Sequence, residues 1–221
     1  MIKAVIFDFD GIIINSEPLW VEAERNVFNS VGVELTPEMC RQTTGLNTQD
    51  TIQYWYNAYR WTGKSSFQLY KEIMESMQSL ILERADLQEG YLDVLQFFVD
   101  RKLPVAVASS SPLKLITTAL KKFHLFEFYK IISSSENEEY GKPHPALYLG
   151  AAKKLGIDPF TCLAFEDSFN GAIAAKAARM KLIAVPDSHD FQTTRFDFAD
   201  LKLNSLKDFK EKNFEHLNSL N

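Results

Sequence analysis

The chain has 221 residues, of which 46% are hydrophobic and 24% are charged, and its formal net charge is -5 at pH 7. This composition is typical of a folded protein with one large domain, or one domain and a modest insertion, and excludes a disordered chain. Because the net charge is negative and no basic run occurs, we expect no nucleic-acid partner. The two cysteines, Cys40 and Cys162, lack CxxC spacing. This argues against a zinc site or a disulfide framework and favours the cytoplasm.

The chain begins with an apolar run that ends on two acids. Residues 5–11 read VIFDFDG, so that one phenylalanine separates Asp8 from Asp10. Asp8 ends the run too early for a signal peptide or a membrane span, and we expect no membrane association. We interpret residues 3–9 as a buried strand. Since a buried carboxylate loses its hydration at a large cost, two of them at the end of such a strand indicate a functional site.

Residues 16–86 have helical patterns and no strand-like run. The predicted helices are one that is capped by Ser16 and ends near Gly32, a short one from Thr36, and two more over 48–60 and 66–84. Helices without a strand cannot extend a sheet. We therefore predict an all-helical cap domain, residues 16–86, inserted into a core domain formed by residues 1–15 and 87–221.

In the second half of the chain, strand-like runs alternate with helical patterns. Strand-like runs cover 103–109, 130–134, 161–167 and 181–186, and helical patterns cover 111–123, with Ser111 as the cap, 145–155 and 170–180. Such alternation predicts a parallel sheet with right-handed crossovers. The predicted fold class is α/β, a Rossmann-like parallel sheet with a helical insertion after its first strand. Charges at 207–215 indicate a terminal helix with a solvated face.

Polar residues follow the predicted strands and so are expected at one edge of the sheet, where ligands bind in open parallel sheets. They are Asp8 and Asp10, Ser109 and Ser110, Lys142 in the GKPHP loop, and Glu166 and Asp167. The carboxylates need a cation, and an all-oxygen donor set favours Mg²⁺. A lysine and hydroxyl groups suit phosphoryl oxygens. The pattern therefore predicts phosphate chemistry.

The chain resembles a known family at these positions. VIFDFDG, VASSS, GKPHP and FEDSFNG are similar, in order and spacing, to the four motifs of the haloacid dehalogenase superfamily. The insertion after the first motif resembles the helical cap of the subgroup that includes β-phosphoglucomutase. SEPLW, the helix at 52–59, Trp61 and GKPHP resemble the bacterial phosphatases of hexitol phosphates and 2-deoxyglucose 6-phosphate.

The resemblance implies roles for the two acids of the first motif. Asp8 would be the nucleophile that forms an aspartyl-phosphate, and its second oxygen would bind Mg²⁺. Asp10 would protonate the leaving alcohol and then take a proton from the water that hydrolyses the intermediate. The backbone carbonyl of Asp10 would also bind the metal.

The resemblance implies binding roles for the later motifs. Ser109, the backbone of Ser110 and Lys142 would bind the transferred phosphoryl group. Asp167 would bind Mg²⁺, and Glu166 would do so directly or through a water molecule. The implied enzyme is a monomeric, Mg²⁺-dependent phosphatase whose partner is a small phosphorylated metabolite.

Specificity is expected to come from the cap, where Trp20 and Asn47 are predicted to contact the substrate. Packing in the core of the cap is the alternative for Trp20. A phosphosugar mutase is a second possible function, but the positions that would hold its histidine and arginine are Trp20 and the neutral Asn47 and Thr48. A non-catalytic phospho-acceptor or binding protein is a third. The insertion at 16–86 and the DxDG pattern argue against this last class.

Overall fold

The core of the molecule is a parallel sheet, seen here in a computed structural model that describes residues 1–220. Its strands are β1 (Ala4–Phe7), β2 (Val105–Ser109), β3 (Tyr129–Ser134), β4 (Cys162–Glu166), β5 (Lys181–Ala184) and β6 (Leu201–Lys202). Their order is β3-β2-β1-β4-β5-β6, and every neighbouring pair is parallel. The predicted α/β class is therefore confirmed.

Beside short 3-10 turns, most of the remaining regular structure consists of α-helices. They are α1 (Glu17–Asn29), α2 (Pro37–Gln42), α3 (Thr48–Tyr59), α4 (Ser66–Arg84), α5 (Tyr91–Asp100), α6 (Leu113–Lys122), α7 (Ala146–Leu155), α8 (Phe169–Ala177), α9 (Ser188–Phe191) and α10 (Glu211–Ser219). Within residues 1–220, none of them is both long and apolar enough to cross a membrane. Three elements, α5, α9 and β6, have no counterpart in the sequence prediction. Helix α5 begins after Gly90, which has no side chain for capping, and the other two are very short.

The central strand β1 separates two apolar layers. Because successive side chains of a strand point to opposite faces, Val5 and Phe7 face one layer and Ala4 and Ile6 the other. The first layer is aromatic, with the ring of Phe7 lying 5.0 Å from that of Phe165. The second is built mainly from small side chains of α7, α8 and the strands. Burial on both faces explains why the strands read as continuous apolar runs.

Two adjacent chain segments connect the sheet to helices α1–α4. The amide of Asn15 donates to the carbonyl of Asp86 at 3.0 Å, and the amide of Gln88 donates to the carbonyl of Ile13 at 2.9 Å. Ile14 and Leu87 form an antiparallel bridge between these bonds. The entry and exit of the helical insert are thus held together in one narrow neck.

The helical insert packs against the core as well as against itself. Its buried residues belong to the same apolar cluster as the aromatic face of the sheet. Lys122 at the end of α6 donates from Nζ to the carbonyls of Ile81 and Ala85, at 2.9 and 2.8 Å. These bonds use carbonyls at the C-terminal end of α4, where that of Ile81 also accepts the amide of Ala85 at 3.3 Å. Helix α4 is therefore anchored to α6 close to the neck.

Candidate active site

The strand ends bring the predicted residues together at one edge of the sheet. Asp8 follows β1, Ser109 ends β2 and Glu166 ends β4, and β1 pairs with both of the other strands. The side chain of Asp8 is oriented by the amide of Phe9, which donates to its Oδ1 at 2.8 Å. Ser109 is completely buried, and its Oγ accepts a hydrogen bond from the amide of Ser111 at 3.0 Å.

Lys142 links two of these carboxylates. Its Nζ lies 2.9 Å from Asp8 Oδ2 and 2.5 Å from Glu166 Oε1, and its side chain is only 1% exposed. Burial alone would lower the pKa of this lysine, but the charges of Asp8 and Glu166 more than reverse that effect and raise it. The ammonium group therefore stays charged and points at Asp8.

Glu166 is held by protein donors on both oxygens. Its Oε1 also accepts a bond from the hydroxyl of Tyr148 at 2.5 Å, and its Oε2 accepts one from Ser168 Oγ at 3.0 Å. Burial, followed by the charge of Glu166, raises the pKa of Tyr148, so that the phenol keeps the proton it donates. Tyr148 was missed by the sequence analysis because a tyrosine on the buried face of α7 has the pattern of a core residue. Its role is to hold the acceptor of Lys142 in place.

The carboxylates that surround Lys142 leave an excess of negative charge. Asp8, Glu166 and Asp167 can each offer one oxygen atom such that the three lie within 4.8 Å of one another. Burial and the neighbouring carboxylates raise the pKa of both Asp8 and Asp167. Since hard oxygen ligands suit Mg²⁺, this donor set fits a magnesium ion.

Glycine is required where the first motif approaches Asp167. A Cβ atom at position 11 would lie 2.0 Å from Asp167 Oδ2, and the φ of Gly11 is +73°. Both the lack of space and the left-handed conformation therefore exclude a residue with a side chain at position 11. This explains the glycine of DFDG in terms of the carboxylate cluster.

Asp10 faces a ring of donors. Its Oδ1 accepts bonds from Ser16 Oγ at 2.6 Å and Trp20 Nε1 at 2.8 Å. Its Oδ2 accepts a bond from Ser111 Oγ at 2.5 Å, with Ser109 Oγ at 3.5 Å. Two of these donors, Ser16 and Trp20, belong to the start of the helical insert. The carboxylate of Asp10 is therefore directed toward the boundary between the sheet edge and the insert.

The side-chain capping bonds expected of Ser16 and Ser111 are absent, although Ser16 does stand at the N-cap position of α1. Ser16 precedes α1 but its side chain makes no capping bond, and the N-cap of α6 is Pro112. Both hydroxyls instead donate to Asp10. The two serines are thus site residues that the sequence analysis misassigned.

A loop of the insert closes onto the strand ends. Ser110 Oγ donates to the carbonyl of Gly45 at 2.9 Å, and Asn170 Nδ2 donates to the carbonyl of Thr44 at 3.2 Å. A Cβ atom at Gly45 would lie 2.7 Å from Ser168 Oγ, and its φ is +85°. The loop therefore contacts the second and fourth motifs so closely that position 45 requires glycine.

A cavity of about 480 Å³ lies between this loop and the strand ends. The core contributes Asp8, Asp10 and Lys142, among others, and the insert contributes Trp20 and Leu46. Its volume is typical of a pocket for a small metabolite. Trp20 is half-buried and reaches Asp10, so it forms part of the wall and is not only a core residue of the insert.

Asn47, predicted to lie beside Trp20, borders a neighbouring cleft and not this cavity. Its Oδ1 accepts a bond from the amide of Asp50 at 2.9 Å, and its Nδ2 donates to Asp50 Oδ2 at 2.6 Å. Asn47 thus caps α3 and borders a neighbouring cleft beside Gly141. Its side chain is already used by the helix that it starts.

Comparison with known proteins agrees with this geometry. Residues 5–185 match the model of the haloacid dehalogenase-like hydrolases. The chain is 40% identical to hexitol phosphatase B of Escherichia coli K12, over 96% of each chain. It is 34% identical to the putative phosphatase YhcW of Bacillus subtilis over the full length of both. It is also 29% identical to a phosphorylated carbohydrates phosphatase of Thermotoga maritima, over 82% of this chain and 83% of that one.

Solved structures share the fold. CbbY from Rhodobacter sphaeroides, in complex with phosphate, superposes with a TM-score of 0.89 at 24% identity, covering 97% of this chain and 100% of that one. β-Phosphoglucomutase from Clostridium difficile gives 0.86 at 22% identity, with coverages of 99% and 98%. The family resemblance of the four motifs is thereby confirmed. This chain belongs to the haloacid dehalogenase-like hydrolases, as a phosphoric monoester hydrolase with a β-phosphoglucomutase-like fold.

Proposed function

We propose that this enzyme is a Mg²⁺-dependent phosphatase that hydrolyses a small sugar or sugar-alcohol phosphate through an aspartyl-phosphate. The observation that carries the proposal is the buried Lys142, 2.9 Å from Asp8, at the floor of a cavity whose roof is the helical insert. Two of the relatives are named as phosphatases of hexitols and of phosphorylated carbohydrates, and this supports the substrate class.

The chemistry consists of two transfers at phosphorus. In the first, an oxygen of Asp8 attacks phosphorus, the ester bond breaks, and the leaving oxygen takes a proton from Asp10. In the second, water attacks the phosphorus and gives a proton to Asp10. The bond to Asp8 then breaks, which releases inorganic phosphate and restores both carboxyl groups.

Positioning and charge neutralisation provide most of the catalysis in such a reaction. Lys142, Ser109 and the backbone of Ser110 bind the phosphoryl oxygens. Asp8, Asp167 and the carbonyl of Asp10 would hold Mg²⁺, which neutralises the phosphoryl charge when bound. Glu166 acts on the same site through Lys142 and would bind the ion directly or through water.

The helical insert, residues 16–86, acts as a cap domain on a core domain of residues 1–15 and 87–221. The neck between the two connections is the hinge. When the cap is closed, the Thr44–Gly45 loop lies on the core and excludes bulk water from the reaction. The core thus binds the phosphate while the cap contacts the rest of the substrate.

A mutase remains the second candidate function, because two guanidinium groups border the cavity. Arg41 and Arg195 could in principle hold a second phosphate, and the sequence analysis did not find them. Each is already paired, Arg41 with Glu38 at 3.0 Å and Arg195 with Asp190 at 2.9 Å. Both arginines are exposed and these pairs do not prevent phosphate binding, so the phosphatase is favoured instead by the relatives that are named as phosphatases. Formation of glucose 6-phosphate from β-glucose 1-phosphate with a trace of bisphosphate would favour the mutase instead.

The proposed function is tested by a panel of phosphate monoesters assayed for release of phosphate with Mg²⁺ and with a chelator. We expect hexitol and hexose phosphates to be hydrolysed with a higher kcat/KM than alkyl phosphates without hydroxyl groups. Chelation should abolish the activity, and Mg²⁺ should restore it. A panel without preference for hydroxylated substrates would contradict the proposed substrate class while leaving the phosphatase chemistry intact.

The assignment of Asp10 as the proton donor predicts a dependence on the leaving group. Asp10→Asn should slow hexitol phosphates at least about a hundredfold more than aryl phosphates, because an aryl oxide leaves without a proton. Parallel measurements of kcat on both substrate types check this. Equal losses on both would show that Asp10 does not protonate the leaving group.

Trp20 and Asn47 are expected to respond differently to substitution. Trp20→Phe removes the Nε1 donor from the cavity wall and should change the ranking of hexose and hexitol phosphates. Asn47→Ala removes a helix cap and should lower stability by about 1 kcal/mol without changing that ranking. Melting temperatures and substrate profiles of both variants check the prediction. A changed ranking in Asn47→Ala alone would restore Asn47 to the site.

A further inference from the structure

Helix α1 carries a second polar residue on its buried face, Glu24, one turn after Trp20. Glu24 is only 8% exposed and lines the catalytic cavity. No nitrogen or oxygen donor within residues 1–220 makes a hydrogen bond or ion pair with its carboxylate. By contrast Glu22, on the exposed side of the same helix, pairs with Arg84 at 2.7 Å.

A buried carboxylate whose hydrogen-bond partner is a thiol, a weak donor, is energetically unfavourable in the free protein. Burial raises the pKa of Glu24 to about 7, and the neighbouring Cys40 thiol offsets only part of this effect. An apolar residue at this position of α1 would destabilise the folded protein less, because the surrounding positions Ala23, Val27 and Phe28 are apolar. Apart from the Cys40 thiol, the residues that the structure describes supply no hydrogen-bond donor to this carboxylate.

The position of Glu24 fits the part of a substrate that is remote from the phosphate. Trp20 contacts Asp10, where the leaving oxygen is protonated in the proposed reaction. Glu24 follows Trp20 by four residues, which is a distance of about 6 Å along the axis of α1. A chain of several carbons that starts at the phosphate ester covers a comparable distance. Glu24 therefore lies where the distal carbons of a sugar phosphate would reach.

We propose that the carboxylate of Glu24 accepts hydrogen bonds from the distal hydroxyl groups of the substrate and so selects polyhydroxylated phosphates. This inference rests on the proposed function, since it assigns a recognition residue for the same substrate class. An ionised acceptor forms stronger bonds to hydroxyls than a neutral one, and a substrate without hydroxyls leaves it buried with only the weak thiol donor. Glu24 thereby favours hydroxylated substrates and disfavours apolar ones.

The test compares a hexitol 6-phosphate with n-hexyl phosphate, which has the same number of carbons but no hydroxyl groups. The measured quantity is the ratio of their kcat/KM values. We expect Glu24→Gln to lower this ratio about tenfold and Glu24→Met about a hundredfold. The matched control, Glu22→Gln, should change it less than twofold. Both Glu24 variants should melt at or above the wild-type temperature, because they remove a buried carboxylate whose partner is only a weak thiol donor.

Two results would overturn the inference. A ratio within twofold of the wild type in both Glu24 variants would show that the carboxylate does not recognise hydroxyls. A lower melting temperature with equal losses on both substrates would show a structural role. Failure of the proposed function is visible separately, since the wild-type enzyme itself would then show no preference for the hexitol phosphate.

Discussion

Asp8→Asn is expected to lower turnover by at least four orders of magnitude, an increase of about 5 kcal/mol in the activation barrier. An amide is a poor nucleophile toward phosphorus, and it neutralises neither Lys142 nor Mg²⁺. The fold should be retained, since the amide can still accept a bond from the amide of Phe9. Single-turnover assays with a hexitol phosphate, together with trapping of the phosphorylated enzyme, measure the effect.

The same substitution should make the metal-free protein more stable at neutral pH. The pKa of Asp8 is higher in the folded chain than its ordinary value of 3.8, chiefly because of burial. Ionisation therefore destabilises the fold as pH rises above that value, and the destabilisation disappears as pH falls toward 4. Melting temperatures of Asp8→Asn and wild type, measured with a chelator, should differ at pH 7 and converge near pH 4.

A suitable control for Asp8 is Asp208→Asn, which replaces an exposed carboxylate on the segment between β6 and α10. It should change neither turnover nor stability appreciably. Turnover of Asp8→Asn within tenfold of the wild type, or a phosphorylated enzyme intermediate in that variant, would rule out Asp8 as the nucleophile.

Lys142→Met is expected to have the largest effect on stability. The substitution leaves Asp8 and Glu166 buried without their shared cation, and loss of one partner of a buried ion pair typically costs about 3–5 kcal/mol. For a chain of this size, 3 kcal/mol corresponds to a decrease of roughly 6–12 °C in melting temperature. Turnover should fall by about three orders of magnitude, because the phosphoryl group loses its buried cation.

A double variant separates stability from catalysis. Adding Glu166→Gln to Lys142→Met removes one of the uncompensated charges, so part of the lost stability should return while turnover does not. Lys153→Met, which replaces an exposed lysine of α7, is the control. If Lys142→Met were no less stable than Lys153→Met in the absence of metal, Lys142 would not be the counter-ion of this cluster.

Much of the fold could be predicted from periodicity. The runs that became β1 to β5 are short, apolar and rich in β-branched residues, because the sheet is covered on both faces. Helices α1, α3 and α4 were equally visible, since each buries one face and exposes the other. Helix α5 buries Tyr91, Val94, Leu95 and Phe98 at helical spacing, so its pattern was present in the sequence and was overlooked. Strand β6 is too short to form a pattern, and its neighbours in the sheet decide its existence.

The candidate site was predictable where it depends on topology. Asp8, Ser109, Glu166 and Lys142 meet because parallel strands end at one edge, and the order of the strands along the chain already implies this. Tyr148 illustrates the limit. Its neighbours in the sequence are those of a core residue, and only the packing of α7 places its hydroxyl on Glu166.

By itself the amino-acid sequence determined the family, the parallel sheet and the edge at which the acids meet, since these follow from periodicity and from the order of motifs. The tertiary structure alone decided which donors each carboxylate uses. Ser16 and Trp20 reach Asp10 only because the insert folds back over the edge, and Asn47 turns away because it caps α3. Hydrogen bonds depend on distances of a few tenths of an ångström between segments remote in the chain, and local sequence patterns do not encode such distances.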